Sequence, residues 1–330
     1  MIITKTPFRM SFFGGGTDMP RFFNQYGGFV ISTTFDKYCY VNVRHLPRFF
    51  DYSTELCYAK IERVNSVEEV EHPVIRHAMN KLDMHEIRLT YEADLPARTG
   101  LGTSSSFAVG MLNAFHSLKG TFASKERLAK EAIYVERTMC QEAGGWQDQI
   151  AAAYGGLNKI TFADNSFDVS PIIIDPERKS KLQDCLMLFF TGFTRLSSEI
   201  QKINQGHDKT AQLLEMLELA REAERVLTDK SVHMDEFGRL LHVNWKIKRV
   251  TGPAVSTDAI DSLYKDAINA GALGGKLLGA GGGGFLLFYV PPDAQASVRK
   301  ALQNLMYVPF SFEDSGTKVI HYTPETWEEA

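Results

Sequence analysis

The chain has 330 residues, enough for one large or two medium domains. At 44% hydrophobic and 23% charged residues it carries the material for a real core, which excludes global disorder. A net charge of −4 with no block of clustered Lys and Arg excludes a broad nucleic-acid-binding face, so an anionic ligand has to be held by local groups.

Ile2 to Phe13 reads as a strand, with Phe8, Met10 and Phe12 on one face and Pro7, Arg9, Ser11 and Phe13 on the other. Arg9 stands among apolar residues there and needs an anionic partner. A glycine-rich turn, Gly14-Gly15-Gly16-Thr17-Asp18, follows. Gly27 to Pro47 is β-branched and aromatic, as strands are. Pro73 to Leu82 has a helical pattern, and Glu86 to Pro96 that of a strand. Helices are expected near 104–119 and 124–142, then a hairpin made of GGLNKITFAD and SFDVSPIII. The charged segment Asp175–Asp184 reads as a crossing, and CLMLFFTG as a buried strand. Three helical segments follow around His207–Lys230, Met234–Val250 and Thr257–Ala270. Two short strands flank a glycine run at 279–284, and one helix and one strand complete the chain. The order predicts an α+β fold in two lobes, 1–175 and 176–330, with a cleft between them as the natural ligand site.

The four cysteines, Cys39, Cys57, Cys140 and Cys185, contain no CxxC pair, which fits a reducing compartment. No signal peptide and no membrane span are read, and a cytoplasmic location is expected.

Three local patterns carry chemistry. In Leu95–Leu112, LPARTGLGTSSSFAVGML, a Gly-x-Gly precedes a Thr, three serines and an amphipathic helix. Thr103 or Ser104 suits an N-cap, and four hydroxyls at a helix N-terminus exceed what one cap needs, which favours a phosphate loop. In Gly274–Val290 the glycines match G-x-G-x-x-G only formally. A strand follows where a dinucleotide fingerprint needs a helix, and Leu277 stands where a Walker loop needs Ser or Thr. The run instead predicts a backbone that passes close to a ligand or another loop. Glu136 falls in the apolar stripe of its helix and must either bind a metal or sit in a buried salt bridge with Arg9 or Arg137. Asp148, after Gly144-Gly145-Trp146-Gln147, falls in the first turn of a helix. A base, a cation, a metal ligand and phosphate donors are the parts of a phosphoryl-transfer site.

With these residues in view the sequence resembles the GHMP kinases. The first family motif resembles Pro7-Phe8-Arg9 through Asp18, the second Pro96 through Ser105, and the third Lys276 through Gly284. Thr103 and Ser105 stand where Ser and Ala are usual. The resemblance implies a β-rich N-terminal lobe and a helix-rich, ferredoxin-like C-terminal lobe with ATP bound between them. It implies ATP and Mg2+ contacts from Gly100, Leu101, Gly102, Thr103, Ser104, Ser105, Gly281 and Gly282, with Ser104 and Glu136 as metal ligands. Asp148 would be catalytic, and Arg9 would hold it ionised. TGFTRLSSEI and the third motif look most like the branch that phosphorylates sugars at the anomeric carbon. That implies a heptose 7-phosphate as substrate, for GDP-heptose and surface polysaccharide, with L-fucose or another sugar as the alternative. A catalytically silent sugar or nucleotide sensor on the same fold is the reading from another class. Gly16, Thr17, Asp18, Gly145 and Gly282 would line the sugar site. Arg21, Arg98, Arg195 and Lys202 are candidates for a substrate phosphate, Arg195 first because the resembling segment includes it. Nucleic acid and membrane are not expected partners, and the oligomeric state, a homodimer included, is left open.

Overall fold

The computed structural model describes residues 1–97, 99–192 and 208–324. Its organising strand is β1 (Ile2–Phe13), which leads through the short helix α1 (Pro20–Tyr26) to β2 (Gly28–His45) and pairs antiparallel with it along most of its length. From Thr6 onward every β1 residue is buried, on both faces. The loose alternation in its sequence follows from this, since a strand covered on both sides has no face that must be polar.

The first sheet has nine strands. Its main path runs β13 (Lys318–Tyr322), β1, β2, β5 (Ile87–Ala93), β3 (Thr54–Cys57), β4 (Ile61–Val64). The hairpin β6 (Asn158–Ala163) and β7 (Ser166–Pro171) joins β2 further along. It turns at Asp164 and Asn165, both at positive φ, as a two-residue type I′ turn requires. On one face of this sheet lie α2 (Pro73–Leu82), α3 (Thr103–Leu118), α4 (Lys125–Ile133) and α5 (Gln147–Tyr154), around a core that includes Val41, Leu89, Val109, Leu112 and Phe115. Instead of one helix over 124–142, α4 gives way at Tyr134–Met139 to a π-helical turn.

A second sheet is antiparallel, in the order β11 (Met306–Val308), β8 (Leu186–Phe190), β10 (Phe285–Tyr289), β9 (Gly274–Leu277). In chain order this is 4-1-3-2, the strand order of a ferredoxin-like split βαβ unit. Helices α7 (Thr210–Thr228), α8 (Asp235–Arg249) and α9 (Asp258–Asn269) lie between its first two strands. α10 (Gln295–Ala301) precedes the last. The segment read as a crossing is helix α6 (Pro176–Asp184), capped by the Asp175 carboxylate on the Arg178 N–H.

The two sheets share a core. Phe8, Phe12 and Phe13 of β1 pack with Leu213, Leu217, Phe237 and Leu241 of α7 and α8 and with Leu188 and Leu287 of the second sheet. After α10 the chain gives three strands, β11 and two more, where one was expected. β12 (Phe312–Glu313) and β13 leave the second sheet and pair with β2 and β1, across the division expected at 175/176. No helix among the described residues is long and apolar enough to cross a membrane.

α3 lies tightly on β1. A Cβ at Gly110 would stand 2.6 Å from the Thr6 hydroxyl, which is itself held by Thr317 at 2.8 Å. Gly110→Leu is therefore expected to overpack this contact at a cost of about 1–3 kcal/mol, read as a lowered thermal midpoint.

Candidate active site

The hydroxyl run opens α3, but none of its side chains caps the helix. The N-cap is Gly102, left-handed at φ 71, and the first intrahelical bond runs from the Ser106 N–H to the Gly102 carbonyl. The N–H groups of residues 103–105 are thus without helical acceptors and carry the positive end of a 16-residue helix. Their hydroxyls are then used elsewhere. Ser104 donates to Glu136 Oε1 at 2.9 Å, Ser105 to Glu136 Oε2 at 2.7 Å, and Ser106 to the Pro7 carbonyl at 2.9 Å. Ser104 is exposed, whereas Thr103, Ser105 and Ser106 are buried.

Glu136 comes from the π-helical turn, a deformation that recurs at functional sites. It is buried, and its third donor is Gln149 Nε2 at 2.5 Å. The alternative of a salt bridge with Arg9 or Arg137 does not occur: Arg137 turns to the Gly145 carbonyl at 3.1 Å and to Glu142 at 3.7 Å.

Arg9 finds its anionic partner in Asp148. Nε and Nη2 each donate to one carboxylate oxygen at 2.8 Å, and Nη1 donates to the Gly100 carbonyl at 2.7 Å. The bidentate pair fixes both side chains. The Arg9 N–H also bonds the carbonyl of Leu101, whose side chain is part of the core.

Asp18 is buried beside this pair. It accepts from the Gly16 N–H at 2.8 Å and the Gln147 N–H at 3.2 Å. Burial, and next the charge of Asp148, push its pKa up. A Cβ at Gly145 would lie 1.9 Å from Asp18 Oδ2, so the carboxylate occupies the space a side chain would need. The Thr17 hydroxyl is spent on the carbonyls of Gly14 and Phe29, which stiffens the turn.

The glycine run meets another loop, one of the two options its sequence left open. Gly279 lies against Gly100: a Cβ at Gly279 would be 2.4 Å from the Gly100 Cα, and one at Gly100 would be 2.3 Å from the Leu278 carbonyl oxygen. Both residues have left-handed φ, 80° and 82°. The Gly282 N–H is bonded to the Val255 carbonyl at 3.2 Å.

Two lysines missing from the sequence-based site lie nearby. Lys276, fully buried, donates to the carbonyls of Ser11 and Phe12 at 2.7 and 2.9 Å and so ties β9 to β1. Burial, then Lys248 and Arg9, hold its pKa well below the ordinary lysine value. Lys248, near the end of α8, donates to the Gly279 carbonyl at 2.6 Å. Its sequence neighbours Lys246 and Arg249 make it look like one of several basic residues closing a helix.

Among the phosphate candidates, Arg21 is exposed and close enough to Lys209 for its charge to depress that lysine's pKa, after burial. Arg98, Arg195 and Lys202 lie outside the described residues. Among the described residues no three His, Cys, Asp or Glu side chains group as a metal cage. A magnesium ion nevertheless fits Ser104 and Glu136, since Mg2+ typically takes one or two protein oxygens and fills its other positions with water and phosphate. A helix N-terminus, a carboxylate–hydroxyl pair and a carboxylate–guanidinium pair around two touching glycine loops can bind a polyphosphate and place a base beside it.

Residues 66–156 match the family model for the GHMP kinases N-terminal domain, and residues 230–308 that for the GHMP kinases C-terminal domain. The chain is 30% identical to a D-glycero-alpha-D-manno-heptose 7-phosphate kinase of Campylobacter jejuni, over 96% of this chain and 98% of that one. A crystal structure of a putative sugar kinase from Campylobacter jejuni superposes with a TM-score of 0.75 at 26% identity, covering 96% of this chain and 97% of that one. A D-glycero-D-manno-heptose 1-phosphate kinase from Bacteroides thetaiotaomicron gives 0.78 at 24%, covering 97% and 99%, and so shares the fold.

The contact between the glycine loops generates a prediction. Gly100→Ala places a methyl group in the Leu278 carbonyl at a left-handed φ. It is expected to cost about 1–3 kcal/mol in backbone strain and to weaken ATP binding by parting the loops, measured by thermal unfolding and nucleotide titration.

Proposed function

The chain belongs to the GHMP kinases, and on that premise we propose that it transfers the γ-phosphoryl group of ATP to the anomeric 1-hydroxyl of a heptose 7-phosphate, giving the 1,7-bisphosphate and ADP. The observation that carries this reading is the Arg9–Asp148 pair, held against the Gly100 carbonyl at the mouth of the α3 N-terminus. The heptose is supported by the name and full-length match of the Campylobacter jejuni relative.

In this reading the N–H groups of residues 103–105, with the Gly100–Gly102 turn and the backbone near Gly281 and Gly282, cradle the triphosphate. Ser104 and Glu136 would hold Mg2+, which would neutralise charge on the phosphates. Asp18 accepts hydrogen bonds from sugar hydroxyls and sets the acceptor beside Asp148. The sugar O1 forms a bond to the γ-phosphorus as the bond to the β,γ-bridging oxygen breaks. The O1 proton passes to Asp148, and the electron pair of the broken bond leaves with ADP. Arg9 keeps Asp148 aimed at O1 and offsets charge building on the transferred group. The transition state of such a transfer is loose, so positioning by Arg9 and Asp18 contributes alongside proton acceptance.

Incubation with ATP and a panel of heptose 7-phosphate, L-fucose, galactose and mannose tests the substrate. Turnover confined to an unphosphorylated sugar would overturn the heptose assignment. Asp148→Ala is expected to lower kcat by about 10²–10⁴-fold while leaving ATP affinity nearly unchanged. A variant within threefold of wild type would remove Asp148 from the mechanism.

A further inference from the structure

Lys248 is a cation in the centre for which the mechanism above has no use and which, unlike Lys276, spends only one donor on a carbonyl. Its ammonium has three donors, and the hydrogen bond to the Gly279 carbonyl takes one. Among the described residues it forms no ion pair. Gly279 is the residue that touches Gly100, and Gly100 is the residue whose carbonyl receives Arg9. Lys248 therefore reaches the junction where the phosphate loop, the third glycine loop and the Arg9–Asp148 pair converge.

We propose that Lys248 binds the γ-phosphoryl group of the nucleotide, with its two remaining N–H donors turned to the oxygens of the group in transfer. The inference rests on the kinase reading above and adds to it a residue from α8, an element outside all three sequence motifs.

The charged groups around the ammonium agree with an anion-receiving role. Arg9 faces it from β1, Asp18 from the first glycine turn, Asp148 from α5, and Lys276 from β9. Burial, then Arg9, draw the Lys248 pKa down to about 8, while Asp18 and Asp148 act in the opposite sense. Arg9 and Lys276 disfavour the charged ammonium, Asp18 and Asp148 favour it, and an incoming phosphoryl group adds to the favourable side. Deprotonation removes the interaction, so affinity for a triphosphate falls as pH rises through about 8. A purely structural role as a pin for the Gly279 carbonyl predicts something else: a general loosening of the loops, affecting ATP and ADP alike.

Titrations without sugar separate these. The probes are ADP and the non-hydrolysable β,γ-imido analogue of ATP, each with Mg2+, at pH 7 and pH 9. Lys248→Met is expected to weaken the triphosphate analogue at least about tenfold at pH 7 and ADP less than threefold. Lys248→Arg should keep the discrimination and lose the weakening at pH 9 that the wild type shows. Equal losses for both nucleotides in Lys248→Met would overturn the proposal and leave the kinase reading intact. A pH 9 weakening that persists unchanged in Lys248→Arg would do the same, and it remains decisive if Lys248→Met fails to fold. A wild type that binds neither nucleotide would overturn both readings.

Discussion

A guanidinium that stays charged in proteins is buried in the middle of β1, and much of the site follows from satisfying it. Arg9 needs a carboxylate in its plane, which places Asp148 and therefore the start of α5. Its third nitrogen needs an acceptor, which brings in the Gly100 carbonyl and therefore the turn before α3. The space its stem fills explains Gly102, where a Cβ would lie 3.3 Å from Arg9 Cγ. One strand residue thus sets the relative positions of the Asp148 carboxylate, the Gly100–Gly102 turn and a helix N-terminus. A buried ion pair is a poor stabiliser in general, so its retention here fits positioning more than stability.

The same logic extends outward through carbonyls and carboxylates. Lys276 carries the second sheet to β1 by binding two strand carbonyls, and Glu136 gathers Ser104, Ser105 and Gln149 on its two oxygens. The aromatic side chains of β1 fill the core shared with α7 and α8, so the two sheets are packed against one another through the strand that bears Arg9. The geometry of the Arg9–Asp148 pair is thereby coupled to the apolar core that both sheets share.

Much of this was legible in sequence wherever a residue type contradicted its surroundings. Arg9 in an apolar strand and Glu136 in an apolar stripe both announced partners, and the glycines at 279–284 announced a close approach. The partners themselves were not legible. Glu136 was offered Arg9 or Arg137 and took two hydroxyls and an amide, because the π-helical turn and the Gly102 N-cap aim Ser104 and Ser105 at it. Thr103 and Ser104 suit an N-cap by type, yet Gly102 takes that place, since it reaches the left-handed cap geometry without strain. Lys248 gave no signal at all, being one of three basic residues in the last turn of α8 and chosen by tertiary position alone. β12 and β13 were undercounted because strands this short carry almost no periodicity.

The return of the chain to its first sheet has a consequence for how the protein is made. Ile2 pairs with Tyr322, so one edge of β1 waits for a strand translated after the whole of the second sheet. Until then the nascent first sheet presents an open strand edge at Ile2–Lys5, a template for pairing with another chain. Synthesis from the N-terminus builds β1 and β2 early but cannot close the sheet around them. The sheet that bears Arg9 is therefore begun before the second sheet and closed after it, with its vulnerable interval set by the time needed to translate everything between.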